Sequence, residues 1–70
     1  MNKAYLKKLG NNIKHARKNK NMSQEKLAEL IKKTRNYVGM VERAELNIPA
    51  SVIFDIANAL NVEAKIFFEF

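Results

Sequence analysis

The stretch SQEKLAELIKKTRNYVGMVER, Ser23 to Arg43, decides how this chain folds. Ser23 is a strong helix N-cap, because its hydroxyl can accept one of the orphan N–H groups at a helix start. Glu25 in the first turn suits the positive end of the helix dipole. Leu27, Ala28 and Ile31 then recur at helical spacing and mark one buried side. Thr34 repeats the cap signal for a second helix, which the pattern carries to Arg43 or Ala44. Two short helices joined by a tight turn form a helix-turn-helix, a unit whose second helix is shaped to enter the major groove of DNA.

Placed on a wheel of about 100° per residue, the second helix divides cleanly. Tyr37, Val38, Val41 and Glu42 share one side, and the two valines make it the core side. Arg35, Asn36, Gly39 and Met40 share the other. That outward set is unusual for a helix whose only task is to be stable. Gly39 costs about 1 kcal/mol against Ala in a helix interior, and Met40 is apolar where solvent is expected. Arg35 in the first turn opposes the dipole. A phosphate-rich groove rewards the set: Gly lets another surface come close, Arg pairs with guanine, Asn with adenine, and an apolar side chain meets the thymine methyl.

Outward from this unit the periodicity stays helical. Leu6, Leu9, Ile13 and Ala16 define a first helix from Lys3 to Asn19, with Asn21 suited to a left-handed stop. Asn47, Ile48 and Pro49 form a break, with Pro49 suited to the first turn of the next helix. Val52, Ile53, Ile56, Ala57 and Leu60 form its apolar stripe, and a last short helical segment runs from Ala64 to Phe70. The expectation is one compact all-α domain of five helices over residues 1–70.

The 70 residues hold no Cys, so packing alone must stabilise so small a core. Twelve cations stand against three carboxylates in residues 1–43, a net +9, whereas residues 44–70 carry −3. A basic body is the footprint of a polyanion binder. No apolar run approaches the roughly 20 residues of a membrane span, and no export signal opens the chain, so the cytoplasm is the expected compartment. His15 beside Lys14 and Arg17 has no catalytic or metal-binding company. An enzyme is not expected, and no cofactor or metal is implied.

Several separated motifs together resemble the Cro/phage-repressor-type (XRE) helix-turn-helix family. They are Arg17, the run Ser23-Gln24-Glu25-Lys26-Leu27-Ala28, Tyr37-Val38, Val41-Glu42-Arg43 and Ile56-Ala57-Asn58-Ala59-Leu60. The resemblance covers about Leu9 to Phe68 and implies the lambda-repressor-like fold. It implies phosphate contacts for Ser23, Gln24 and Arg43 and base readout for Arg35, Asn36 and Met40; Tyr37 is expected to contact phosphate as well. It also implies a structural ion pair between Arg17 and Glu42, in line with the cost of burying an unpaired carboxylate. Lys32 stands where the family usually has a turn glycine, and Ala44 where a glycine commonly follows Glu-Arg. Lys33 replaces an apolar turn residue, so its stem is expected to lie over the core. Within the family, Arg35, Tyr37, Asn47 and Phe67-Phe68-Glu69 resemble the controller proteins of restriction–modification systems.

Ile66, Phe67, Phe68 and Phe70 cannot all face one small core from so short a segment. Ile66, Phe68 and Phe70 are therefore expected to form a homodimer contact, suited to a protein reading two half-sites. The expected function is a dimeric transcriptional regulator on double-stranded DNA, with RNA polymerase or a toxin protein as the further partners to be considered. The alternative is a DNA-binding antitoxin whose main task is to bind a toxin protein.

Overall fold

The computed structural model describes residues 3–70 as four α-helices and a short 3₁₀ turn. Helix α1 spans Lys3–Asn19, α2 Gln24–Leu30, α3 Arg35–Glu42 and α4 Ala50–Leu60, and the 3₁₀ turn covers Ala64–Phe68. The apolar stripes read from the sequence meet in one cluster. Leu9 and Ile13 of α1, Leu27 of α2, Val41 of α3, Leu60 of α4 and Phe67 of the 3₁₀ turn are all fully buried in it. None of the helices among the described residues is long and apolar enough to cross a membrane.

The helix starts follow the cap residues. Ser23 Oγ accepts the Lys26 N–H at 3.0 Å, and Thr34 Oγ1 accepts the Tyr37 N–H at 3.0 Å. Both satisfy donors that a short helix would otherwise leave unpaired. Pro49 departs from expectation by one position. It is the N-cap of α4 rather than part of its first turn, with ψ at 144°, and its carbonyl accepts the N–H groups of Val52 and Ile53.

All four helices end by one device. The residues Asn21, Lys32, Ala44 and Asn61 have φ of 54°, 59°, 60° and 55°. The N–H after each reaches back to a carbonyl five residues earlier: Met22 to Arg17, Lys33 to Ala28, Glu45 to Met40 and Val62 to Ala57. This closes the helix and turns the chain sharply. Asparagine tolerates the left-handed region, whereas Lys32 and Ala44 adopt it at a cost of about 1–2 kcal/mol each. The turn between α2 and α3 therefore keeps its glycine-like shape without a glycine.

The count of five α-helices is corrected to four. Ala64–Phe68 is a 3₁₀ turn rather than a fifth α-helix, a form common in such short pieces. Tertiary contacts hold it. Phe67 is buried in the core, and Asn12 Nδ2 of α1 donates to the Phe67 and Glu69 carbonyls at 2.9 and 3.3 Å.

Gly10, midway along α1, permits a close approach of α1 to the end of α3. A Cβ there would lie 2.6 Å from the Val41 carbonyl oxygen and 2.9 Å from that of Glu42. Backbone cannot move aside as a side chain can. Gly10→Ala is therefore expected to lower stability by about 1–3 kcal/mol through overpacking, although Ala is the better helix former. Lys32→Gly should raise stability by about 0.5–1 kcal/mol, the relieved strain exceeding the added unfolded-chain entropy. Urea denaturation of both variants checks the opposite signs.

Candidate nucleic-acid interface

Helix α3 is positioned by a polar cluster at the meeting point of three helices. Arg17 of α1 donates from Nε to Glu42 Oε2 at 2.7 Å and from Nη2 to Glu42 Oε1 at 3.2 Å. Its Nη1 donates to the Met22 carbonyl at 2.7 Å, in the connection leading to α2. Gln24, the first residue of α2, donates from Nε2 to Glu42 Oε1 at 2.9 Å. The Arg17 and Glu42 side chains are only 8% and 3% exposed, so the planar fork of the arginine meets the carboxylate away from water. One carboxylate at the end of α3 thus fixes that helix against both α1 and α2.

The surface above this cluster carries the outward residues of α3. Arg35 and Asn36 are exposed and line a shallow cleft with Gln24, Gly39 and Arg43. A second cleft, lined by Arg17, Ser23, Gln24, Glu25 and Arg35, joins the first through Gln24 and Arg35. Ser23, Gln24, Arg35, Asn36 and Arg43 therefore share one continuous surface. Capping uses only an acceptor site of Ser23, so its O–H remains a donor. Asn36 Nδ2 lies 3.7 Å from Met40 Sδ, which places Met40, half-buried, one turn further along the same face.

Tyr37 is turned differently. It is half-buried against the core, with Lys33 Nζ 5.0 Å above its ring. Lys33 is exposed, and the aromatic face offers its ammonium a favourable seat at the surface.

Gly39 lies on the outward side with Arg35 and Asn36, where the wheel placed it, but it is covered by Arg43 and so is buried. Arg43 Nη1 lies 2.7 Å from where a Gly39 Cβ would stand. Arg43 follows α3 at its C-cap, one turn beyond Gly39, and folds back along the helix. Its Nε and Nη2 donate to Glu45 Oε2 and Oε1 at 2.9 and 3.1 Å. That hydrogen bond is the main reason the Glu45 carboxyl is held below the usual carboxylate range, and the Arg43 guanidinium above its own.

Reading the sequence missed one flank of this surface. Lys7, Lys8 and Asn11 of α1 line a cleft with Glu42 and Arg43. They lie more than 30 positions away along the chain, and only the crossing at Gly10 brings them beside α3. The dimer candidates are placed unevenly. Ile66 is half-buried against the core, Phe68 and Phe70 are 46% and 54% exposed, and the Phe70 ring stacks on Tyr5 at 5.9 Å.

A helix-turn-helix with a polar, cation-bearing second helix, set on a basic body, defines a DNA-binding regulator domain. Residues 13–67 match the helix-turn-helix family, and the chain belongs to it, in the Cro/phage-repressor (XRE) type. It is 43% identical over 53 residues to the control protein C.SmaI of Serratia marcescens, covering 76% of this chain and 63% of that protein. The match therefore spans somewhat less than two thirds of that relative's length. The crystal structure of the restriction-modification controller protein C.AhdI from Aeromonas hydrophila superposes with a TM-score of 0.90 at 39% identity, over 94% of this chain and 96% of the other. A hypothetical transcription factor, NHTF from Neisseria, superposes with a TM-score of 0.85 at 38% identity, over 97% and 79% of the two chains.

The buried ion pair generates an asymmetric prediction. Arg17→Ala leaves Glu42 buried with only Gln24 as partner and should cost about 3–5 kcal/mol. The apolar double replacement Arg17→Met with Glu42→Leu should recover most of that loss, because no charge is then stranded. Chemical denaturation of both variants measures the difference.

Proposed function

We propose that this protein is a sequence-specific transcriptional regulator of a restriction–modification system, acting in the cytoplasm as a homodimer on a two-fold-symmetric operator. The observation that carries this reading is the continuous surface joining Ser23, Gln24, Arg35, Asn36 and Arg43 around the start of α3. Ser23, Gln24, Tyr37 and Arg43 bind phosphate, which sets register and orientation on the duplex. Arg35, Asn36 and Met40 meet base edges, where Arg favours guanine, Asn adenine and Met the thymine methyl. The lysines at the α1 flank add charge that strengthens binding to any duplex. The likeness to controller proteins over nearly the whole fold favours a regulator over a toxin-binding antitoxin.

Two halves of an operator require two copies of α3 at a fixed separation. Phe68 and Phe70 supply the exposed apolar surface for that pairing, with half-buried Ile66 contributing and the Tyr5 ring extending the patch. Phe68→Asp is expected to shift sedimentation toward monomer and to weaken operator binding while leaving helicity intact. Wild-type protein sedimenting as a monomer at high micromolar concentration contradicts the dimer.

The base-reading role is tested by selecting bound sequences from random duplex DNA. Arg35→Ala should lose about 1–3 kcal/mol on the selected site and relax the preference at one base position. A selected sequence profile identical to that of the wild type removes Arg35 from base readout.

A further inference from the structure

Arg43 and Glu45 form the one ion pair at the rim of the cleft lined by Gln24, Arg35, Asn36 and Gly39 for which the structure gives both partners exposed. An exposed pair of this kind contributes little to stability. A carboxylate beside a DNA-binding surface also repels phosphate, so its presence there needs another reason.

Geometry supplies one. Glu45 engages Nε and Nη2 of Arg43 together, and this two-point contact fixes the plane of the guanidinium. The remaining nitrogen, Nη1, is thereby directed over Gly39 into the cleft beside Arg35 and Asn36. Any side chain at position 39 would meet that nitrogen, at 2.7 Å for a Cβ alone. Gly39 clears the space, Glu45 sets the angle, and the left-handed Ala44 between them turns the chain so that a residue two positions on can reach back. The helix stop reinforces this, since the Glu45 N–H is tied to the Met40 carbonyl at 2.9 Å.

We propose that Glu45 is a positioning residue for DNA discrimination: it holds Arg43 so that Nη1 meets one backbone phosphate in a single register. This rests on the DNA-reading role given to α3 above. A free Arg43 swings on its flexible stem and finds a phosphate on any duplex in many poses, whereas a held one does so only when α3 is seated. The repulsion from Glu45 weakens binding to every sequence, and the fixed contact returns the loss only on the right one. Affinity is exchanged for discrimination.

The test is a double-mutant cycle with wild type, E45Q, R43Q and the double variant. The probes are the duplex selected by wild-type protein and a scrambled duplex of equal length and composition. E45Q should bind the scrambled duplex more tightly than wild type and lower the ratio of scrambled to selected Kd by about tenfold. In the R43Q background the further change E45Q should leave that ratio within about twofold, because the group being positioned is gone. Melting temperatures of wild type and E45Q should agree, which separates positioning from folding. If E45Q tightens both duplexes by the same factor, Glu45 contributes only to the surface field and the proposal is overturned. It is equally overturned if the ratio falls as far in the R43Q background. Wild-type protein that binds both duplexes alike overturns the base-reading function itself, whereas a selective wild type with an unchanged ratio in E45Q overturns Glu45 alone.

Discussion

The architecture depends on one buried carboxylate. Glu42 ends α3, and its two oxygens accept hydrogen bonds from Arg17 on α1 and Gln24 on α2. A charge in so dry a position is tolerated only when all of its oxygens are satisfied. That requirement has a geometric result. Glu42, Arg17 and Gln24 can meet in only one arrangement of the three helices, so the cost of stranding a charge fixes where α3 stands. The same arginine holds the Met22 carbonyl, which draws the connection between α1 and α2 into the cluster. An apolar contact would tolerate sliding by a fraction of a turn, but a bidentate contact does not. For a helix whose exposed face carries Arg35 and Asn36, this directional restraint matters more than its net energy.

Around that point the chain uses its two glycines and its helix stops in an unexpected division of labour. Neither glycine has positive φ, and neither sits in a turn. Gly10 lets the backbone of α1 approach the carbonyls of Val41 and Glu42, and Gly39 makes room for a side chain of its own helix. The left-handed positions are filled by Asn21, Lys32, Ala44 and Asn61. Strain at Lys32 and Ala44 brackets α3 on both sides, so the recognition helix is the one set between two costly stops. The tight core on either side supplies the packing that holds them there.

Charge is arranged in two layers about this helix. The inner layer, Arg17 with Glu42, is buried and serves placement. The outer layer, Arg35, Arg43, Lys7 and Lys8, is exposed and lines the clefts beside α3. Arg17 and Arg43 illustrate how one residue type serves both. Each donates through Nε and Nη2 to a single glutamate, but only burial turns the first pair into a structural constraint.

Much of this was legible from residues 23–43 alone, because capping and periodicity are local. Ser23 and Thr34 sit where a hydroxyl meets a free N–H, and Leu27, Val38 and Val41 lie at spacings that only a helix brings to one face. The helix-turn-helix and the outward setting of Arg35 and Asn36 follow from such rules, whereas the left-handed Lys32 was signalled only by its place at the family's usual turn glycine. Other features depend on how separate segments cross. The burial of Gly39 depends on where Arg43 folds, which depends on Glu45 and on the turn at Ala44. The placing of Lys7, Lys8 and Asn11 beside Arg43 depends on the approach of α1 to α3 at Gly10. The last segment became one 3₁₀ turn because Phe67 and Asn12 tie it to the core more strongly than its own few hydrogen bonds extend it. Local hydrogen bonding and spacing are properties of neighbouring residues and can be read in order, whereas the final position of a long side chain is chosen by partners that only the assembled fold brings within reach.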